Sequence, residues 1–280
     1  MSMENLDPIE KVVDKVADAS IDGISSFISA ICMPAAKEFG LLIKDKITVY
    51  RLGNIESIAL KSQEIINKTG IKISGKANLR VLKEVFEEAS WVEDPKIQDM
   101  WAGLLATASS HTSKTDDSLL YIEKLKSLTS FQARLLEFIC SSPDCFKGEI
   151  IYESEFRPHK NWGGIFAFNY KDILNLYPED LSTFVPICNI THEEILNDSK
   201  NHGIAIGRLM PQIKSMVDSG LFFVAETLKI EDESYIEIIP TYTGIDLYMR
   251  CLGYQLYPLQ SFLLTMKHWD SLKFSENNKI

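Results

Sequence analysis

The sequence predicts a mainly α protein: an N-terminal helical bundle followed by a winged-helix-like α+β domain with a β hairpin. Three observations carry this. Apolar residues recur at helical spacing through the N-terminal half, as in Ile9, Val12, Val13 and Val16, and again in Leu79, Leu82, Val85 and Phe86. The stretch "FFVAETLKIEDESYIEIIPT" has two β-rich arms around Glu-Asp-Glu, the pattern of a hairpin. That hairpin stands between a helix ending in "DSGLF" and a closing "TGIDLY" helix, which is the element order of a winged helix. The expected divisions are a helical module at 1–127, the winged-helix-like domain at 128–255 with an insertion at 143–190, and a tail at 256–280.

Each element has a local cause. In "DPIE" Asp7 caps, Pro8 suits the first helical position and Glu10 reaches back; Pro34 then ends or kinks that helix. A second pattern runs from Lys37 to Gly70, with Leu41, Leu42, Val49 and Leu52 close to one face. Gly53 is a candidate break within it, and Gly70 a C-terminal cap. After "KANLRVLKEVFEEASWV", Asp94 and Pro95 start a new helix whose Ile97, Trp101, Leu104, Leu105 and Ala108 form one apolar face. Trp91 is expected to pack across that corner, since large aromatic side chains dominate core burial.

A polar loop at 112–117, a short helix "SLLYIEKLKSL" and the helix "SFQARLLEFICSS" follow, the last opened by the capping pair Thr129 and Gln132. Residues 143–190, with four prolines, receive no assignment. Thr191 and Glu194 repeat the capping spacing, Gly220 ends the next helix, and Pro211 either opens or kinks it.

Composition narrows function. The chain has 280 residues and a formal net charge of −10. Residues 128–280 hold 13 basic against 20 acidic side chains, so −7 of that charge lies in this half. The hairpin carries Glu226, Glu231, Asp232, Glu233 and Glu237 against Lys229, a sign that repels phosphate. DNA contact is therefore disfavoured; if it occurs, Arg208 and Lys214 on the preceding helix are the candidates. The longest charge-free run in the segment 20–43, Gly23 to Ala36, covers fourteen residues, against about twenty needed to span hydrocarbon. A buried helix is expected there, with membrane contact as a minor reading.

The sequence carries no recognisable catalytic set, cofactor motif or metal site. The five cysteines form no CxxC pair, which fits free thiols in a reducing, cytoplasmic compartment. His192 precedes Glu193 and Glu194 but belongs to no HExxH, and neither GxxxxGK[ST] nor GxGxxG occurs. Glu87 and Glu88 are neighbours on a helix and point about 100° apart.

One region is more specific. "EEASWVEDPKIQDMWAGLLATA", residues 87–108, resembles the abortive infection alpha family of bacterial proteins. The matching positions are Glu88, Ala89 and Ser90, then the acidic break Glu93-Asp94, then Trp101, Ala102, Leu104, Leu105 and Ala106. "YIEKLKSLTSFQARLLEFI" and "TYTGIDLYMRC" are similar to later parts of that family, whereas Trp91 and the 143–190 insertion depart from it. The resemblance implies a part in bacterial defence against phage and brings no catalytic residues. Glu88, Trp101, Ala102, Leu104 and Leu105 are expected to be packing positions. The expected function is a non-enzymatic defence component acting through a protein partner or a homo-oligomer; the alternative is a winged-helix DNA-binding regulator.

Overall fold

The computed structural model describes residues 49–73, 77–110, 116–141, 167–184, 190–230 and 233–254. The expected first helix, its break at Pro34, the segment 20–43 and the tail 256–280 lie outside these residues. The fold is mainly α. Among the described residues there are nine α-helices, one 3-10 turn and a three-stranded antiparallel sheet. The chain divides into two compact units, Met1–Ser127 with Arg250–Gln255, and Leu128–Met249 with Leu256–Ile280.

The first unit is built from α1 (Val49–Thr69), α2 (Leu79–Ala89), α3 (Pro95–Ala108) and α4 (Ser118–Leu125). Helix α1 runs unbroken through Gly53, contrary to the expected break. A single glycine costs a helix about 1 kcal/mol. Leu52, Ile55, Ile58, Ala59 and Ile66 are all buried around it, and that burial outweighs the glycine. Helix α2 is capped by Asn78, whose side chain accepts from the Arg80 and Val81 amides. It buries Val81, Leu82, Val85, Phe86 and Ala89, while Leu79 is 48% exposed. Leu79 was expected on the stripe. At about 100° per residue it lies at the margin of the arc centred on Leu82, Val85 and Ala89.

Helix α3 starts where the sequence places it. Asp94 Oδ1 accepts from the Lys96 and Ile97 amides at 2.9 and 3.1 Å, and Pro95 follows. Its burial exceeds the expected single face: every residue from Met100 to Ala108 is buried, so it is a helix covered on all sides. It packs against α1, α2 and α4. Its small residues Ala102, Gly103 and Ala106 leave room for close neighbours. A Cβ built on Gly103 would stand 1.7 Å from the Cys251 carbonyl oxygen, so only glycine fits this approach.

The second unit begins with α5 (Ser130–Ser141), opened by the expected reciprocal cap. The Gln132 amide donates to Thr129 Oγ1 at 3.3 Å, and the Thr129 amide to Gln132 Oε1 at 2.9 Å. Then come β1 (Ala167–Asn169), α6 (Tyr170–Leu174), the 3-10 turn Leu181–Phe184, α7 (His192–Asn197) and α8 (Ser199–Asp218). The Thr191–Glu194 capping box stands at the start of α7.

Helix α8 does not start at Pro211. It opens at the Asp198 cap and carries Pro211 in its interior. Proline forfeits the bond to the Gly207 carbonyl and crowds that residue's position; Gly207 has open space around it. Burial of Ala205, Ile206, Leu209, Ile213 and Met216 keeps the helix intact. Its end is the expected one. With Gly220 at φ 74°, the Leu221 amide donates to the Met216 carbonyl and the Gly220 amide to the Val217 carbonyl, each at 2.9 Å.

Strands β2 (Phe222–Ile230) and β3 (Glu233–Pro240) form the expected hairpin, irregular between Val224 and Thr227; Glu231 and Asp232 lie outside the described residues. The third strand was not foreseen. β1 pairs with β3 through Phe168 and Ile236, giving the order β1-β3-β2. Three residues in a proline-rich region offer too short an alternation to read. Ile236, Ile238 and Pro240 are buried while Tyr235, Glu237 and Ile239 are half-buried, the two-residue period of a one-sided sheet. Helix α9 (Tyr242–Cys251) closes the described chain. Thr241 Oγ1 accepts from the Gly244 amide at 3.0 Å, and a Cβ on Gly244 would meet the Leu221 carbonyl oxygen at 2.3 Å. The threonine of "TYTG" thus caps the helix, and its glycine makes room for the preceding turn.

These glycines separate cleanly in a urea melt. Gly103→Ala and Gly244→Ala should each lower stability by about 1–3 kcal/mol through overpacking. Gly53→Ala, exposed and unobstructed, should raise it by about 0.5–1 kcal/mol.

Candidate functional site

The densest polar arrangement among the described residues lies where α1 crosses the corner between α2 and α3. Arg51, Asn54, Ser57 and Lys61 recur along α1 at three, three and four residues, so they share one side of the helix. Arg51 Nε and Nη2 donate to Ser90 Oγ at 3.0 and 2.7 Å, and Asn54 Nδ2 donates to the Ser90 carbonyl at 2.9 Å. Gln98, buried at the start of α3, is the hub. Its Nε2 donates to the Val92 carbonyl at 2.9 Å and to Asn54 Oδ1 at 3.3 Å. Its Oε1 accepts from Ser57 Oγ at 3.0 Å and from Lys61 Nζ at 3.4 Å. Lys61 completes the set with Asp99 at 2.7 Å.

This geometry joins helices and consumes its own chemistry. A primary amide buried beside backbone carbonyls is costly unless both its ends are bonded; here both are. The outer edge is different. The Arg51 guanidinium lies 4.1 Å from the centroid of the Trp91 ring. Tyr50 donates its hydroxyl to Glu93, and that bond raises the phenol's pKa because only the protonated form can donate. Trp91 is 63% exposed, which corrects the expectation that it fills the corner. Its helix has already ended, so its side chain leaves the packed arc, and Arg51 meets it at the surface.

The residues singled out from sequence separate into different settings. Trp101, Ala102, Leu104 and Leu105 are buried in α3. Trp101 Nε1 and Ser62 Oγ have no hydrogen-bond partner there. Glu88 is at the surface of α2, 4.0 Å from Lys126 Nζ, which Glu123 holds more closely at 2.7 Å. The two tryptophans of the corner therefore do not converge: Trp101 is core and Trp91 is surface. Arg208 and Lys214 are both exposed on α8, and Lys214 spends its charge on Asp218, 2.9 Å away on the next turn.

The other chemical candidates are occupied locally. His192 Nδ1 accepts from the Leu181 amide at 3.1 Å, and His202 Nε2 donates to the Leu196 carbonyl at 3.0 Å. Cys140 and Cys251 are free and buried, and burial raises both thiol pKa values far above the ordinary range, so they are poor nucleophiles. Among the described residues no three His, Cys, Asp or Glu side chains gather as metal ligands, and no helix is long and apolar enough to cross a membrane. His111, His159, His268, Cys32, Cys145 and Cys188 lie outside those residues. Sequence reasoning passed over Arg51, Asn54, Ser57 and Gln98. Their spacing was visible, but a polar stripe on a helix does not name the residues it will meet.

A family model described as abortive infection alpha matches residues 32–201, more than half of the chain. No match was found among curated proteins or solved structures.

The corner and the core answer differently to truncation. Gln98→Ala should cost about 1–3 kcal/mol by stranding buried partners, and Trp101→Ala about 3–5 kcal/mol. Trp101→Phe, which gives up no hydrogen bond, should cost clearly less than Trp101→Ala in the same thermal and urea melts.

Proposed function

The chain belongs to the abortive infection alpha family, and from that premise we propose a non-enzymatic, cytoplasmic component of defence against phage, acting through a protein partner or through self-assembly. Family membership implies the phage-defence role. The single observation that supports a non-catalytic mode is the fate of the polar groups in the first unit. Arg51 and Asn54 bond to Ser90, Gln98 bonds to Asn54, Ser57 and Lys61, and Lys61 pairs with Asp99, so these groups are engaged in joining helices.

We propose further that the second unit is winged-helix-like. Its support is the order α5, β1, short helices, α8, β2, β3, together with the sheet order β1-β3-β2. In that arrangement α8 and the hairpin form the contact surface. Arg208 is exposed there, which keeps a DNA-binding regulator as the second reading. Against it stand the Lys214–Asp218 pair and the acidic hairpin sequence.

Expression in a phage-sensitive bacterium should lower plaque counts. The double variant Arg208→Ala, Lys214→Ala should protect as well as the parent. The purified chain should turn over neither nucleotide nor nucleic acid, and native mass measurement should reveal whether it assembles alone. Salt-sensitive duplex binding lost in the double variant, together with lost protection, would favour the regulator instead. Robust metal-dependent turnover would overturn the non-enzymatic reading.

A further inference from the structure

The feature of the first unit not explained by its own packing is the rim of the corner. Trp91 is 63% exposed and Tyr50 48%, and Glu93, two residues after Trp91 in sequence, accepts the Tyr50 hydroxyl. Large exposed aromatic rings at a rigid corner resemble the anchors that carry binding energy in protein interfaces. The backbone on both sides of Trp91 is tied down: Ser90 is held by both Arg51 and Asn54, and the Val92 carbonyl accepts from Gln98.

Two observations identify the chemistry of the occupant. First, the ring already takes a guanidinium. Arg51 stacks at 4.1 Å on Trp91, while Arg51 Nε and Nη2 are directed to Ser90. With Arg51 on one face and the residue still 63% exposed, ring surface remains for a second cation. Second, the surroundings are acidic. Glu87, Glu88, Glu93 and Asp94 lie within four residues of Trp91 in sequence. Asp94 is committed to its helix cap, and Glu87 and Glu88 have only longer ion pairs, at 3.8 and 4.0 Å, with Lys83 and Lys126. Glu93, whose partner is the neutral Tyr50 hydroxyl, is therefore the carboxylate from which a cationic segment would gain most, and it would oppose a phosphate.

We infer that Trp91, Tyr50 and Glu93 form a docking site for an arginine- or lysine-rich segment of a protein partner, one cation stacking on the exposed ring of Trp91 and meeting Glu93. The site rests on the partner-mediated reading above and gives that partner a chemical class. It also separates two roles within one corner. Gln98, Asn54 and Ser90 hold the helices together, and Trp91 with Glu93 faces outward from the platform so made.

The test uses the full-length chain and a fluorescent octapeptide of alternating arginine and alanine, followed by anisotropy at about 0.15 M salt. The parent should bind it, and a glutamate–alanine octapeptide should not bind. Trp91→Ala should weaken binding by about tenfold or more, Trp91→Phe should retain most of it, and Glu93→Gln should weaken it by a few fold and flatten its salt dependence. Because Trp91 is exposed, unchanged thermal melts of these variants are expected. No binding by the parent, or equal binding by the parent and Trp91→Ala, overturns the docking site. Either result would leave plaque protection by the parent intact, so failure of the site and failure of the defence role are read on separate assays.

Discussion

The first unit depends on the complete enclosure of helix α3. From Met100 to Ala108 no residue of it is exposed, so each side must be met by another helix. α1, α2 and α4 supply those sides, and the Cys251 carbonyl closes on Gly103. A helix enclosed in this way needs both large and small residues: Trp101, Leu104 and Leu105 fill volume, while Ala102, Gly103 and Ala106 bring backbones near. The run "WAGLLATA" is that compromise written in sequence. It explains why the segment is distinctive without supplying a reactive group.

Enclosure of α3 decides where polar chemistry sits. With its body apolar, the polar groups at its start must find partners from elsewhere, and the stripe on α1 provides them. Gln98 is bonded at both ends of its amide, and Lys61 bridges to Asp99. What remains outward is the rim, where an indole ring, a guanidinium and carboxylates stand beside one another.

In the second unit, local rules and topology divide the work. Thr129 with Gln132, Thr191 with Glu194, and Gly220 were readable one by one, because caps and C-terminal glycines act through bonds to residues three to five positions away. Strand β1 was not readable. It is three residues long, and its only reason to be a strand is the edge that β3 offers through Ile236. The same holds for Pro211: residue by residue it argues for a helix start or a kink, and the burial of Leu209 and Ile213 on either side holds the helix through it.

By itself the sequence determined the helix starts at Asp94, Thr129 and Thr191, the hairpin arms, the buried motif around Trp101 and the family those residues belong to. All of these rest on interactions within a few residues or on side chains too apolar to leave in water. Only the tertiary structure decided that Gly53 does not break α1, that Trp91 faces solvent with Arg51 upon it, and that Arg51, Asn54 and Ser57 meet Ser90 and Gln98. Those outcomes join residues about forty positions apart, and no local periodicity records which polar group a distant helix will present.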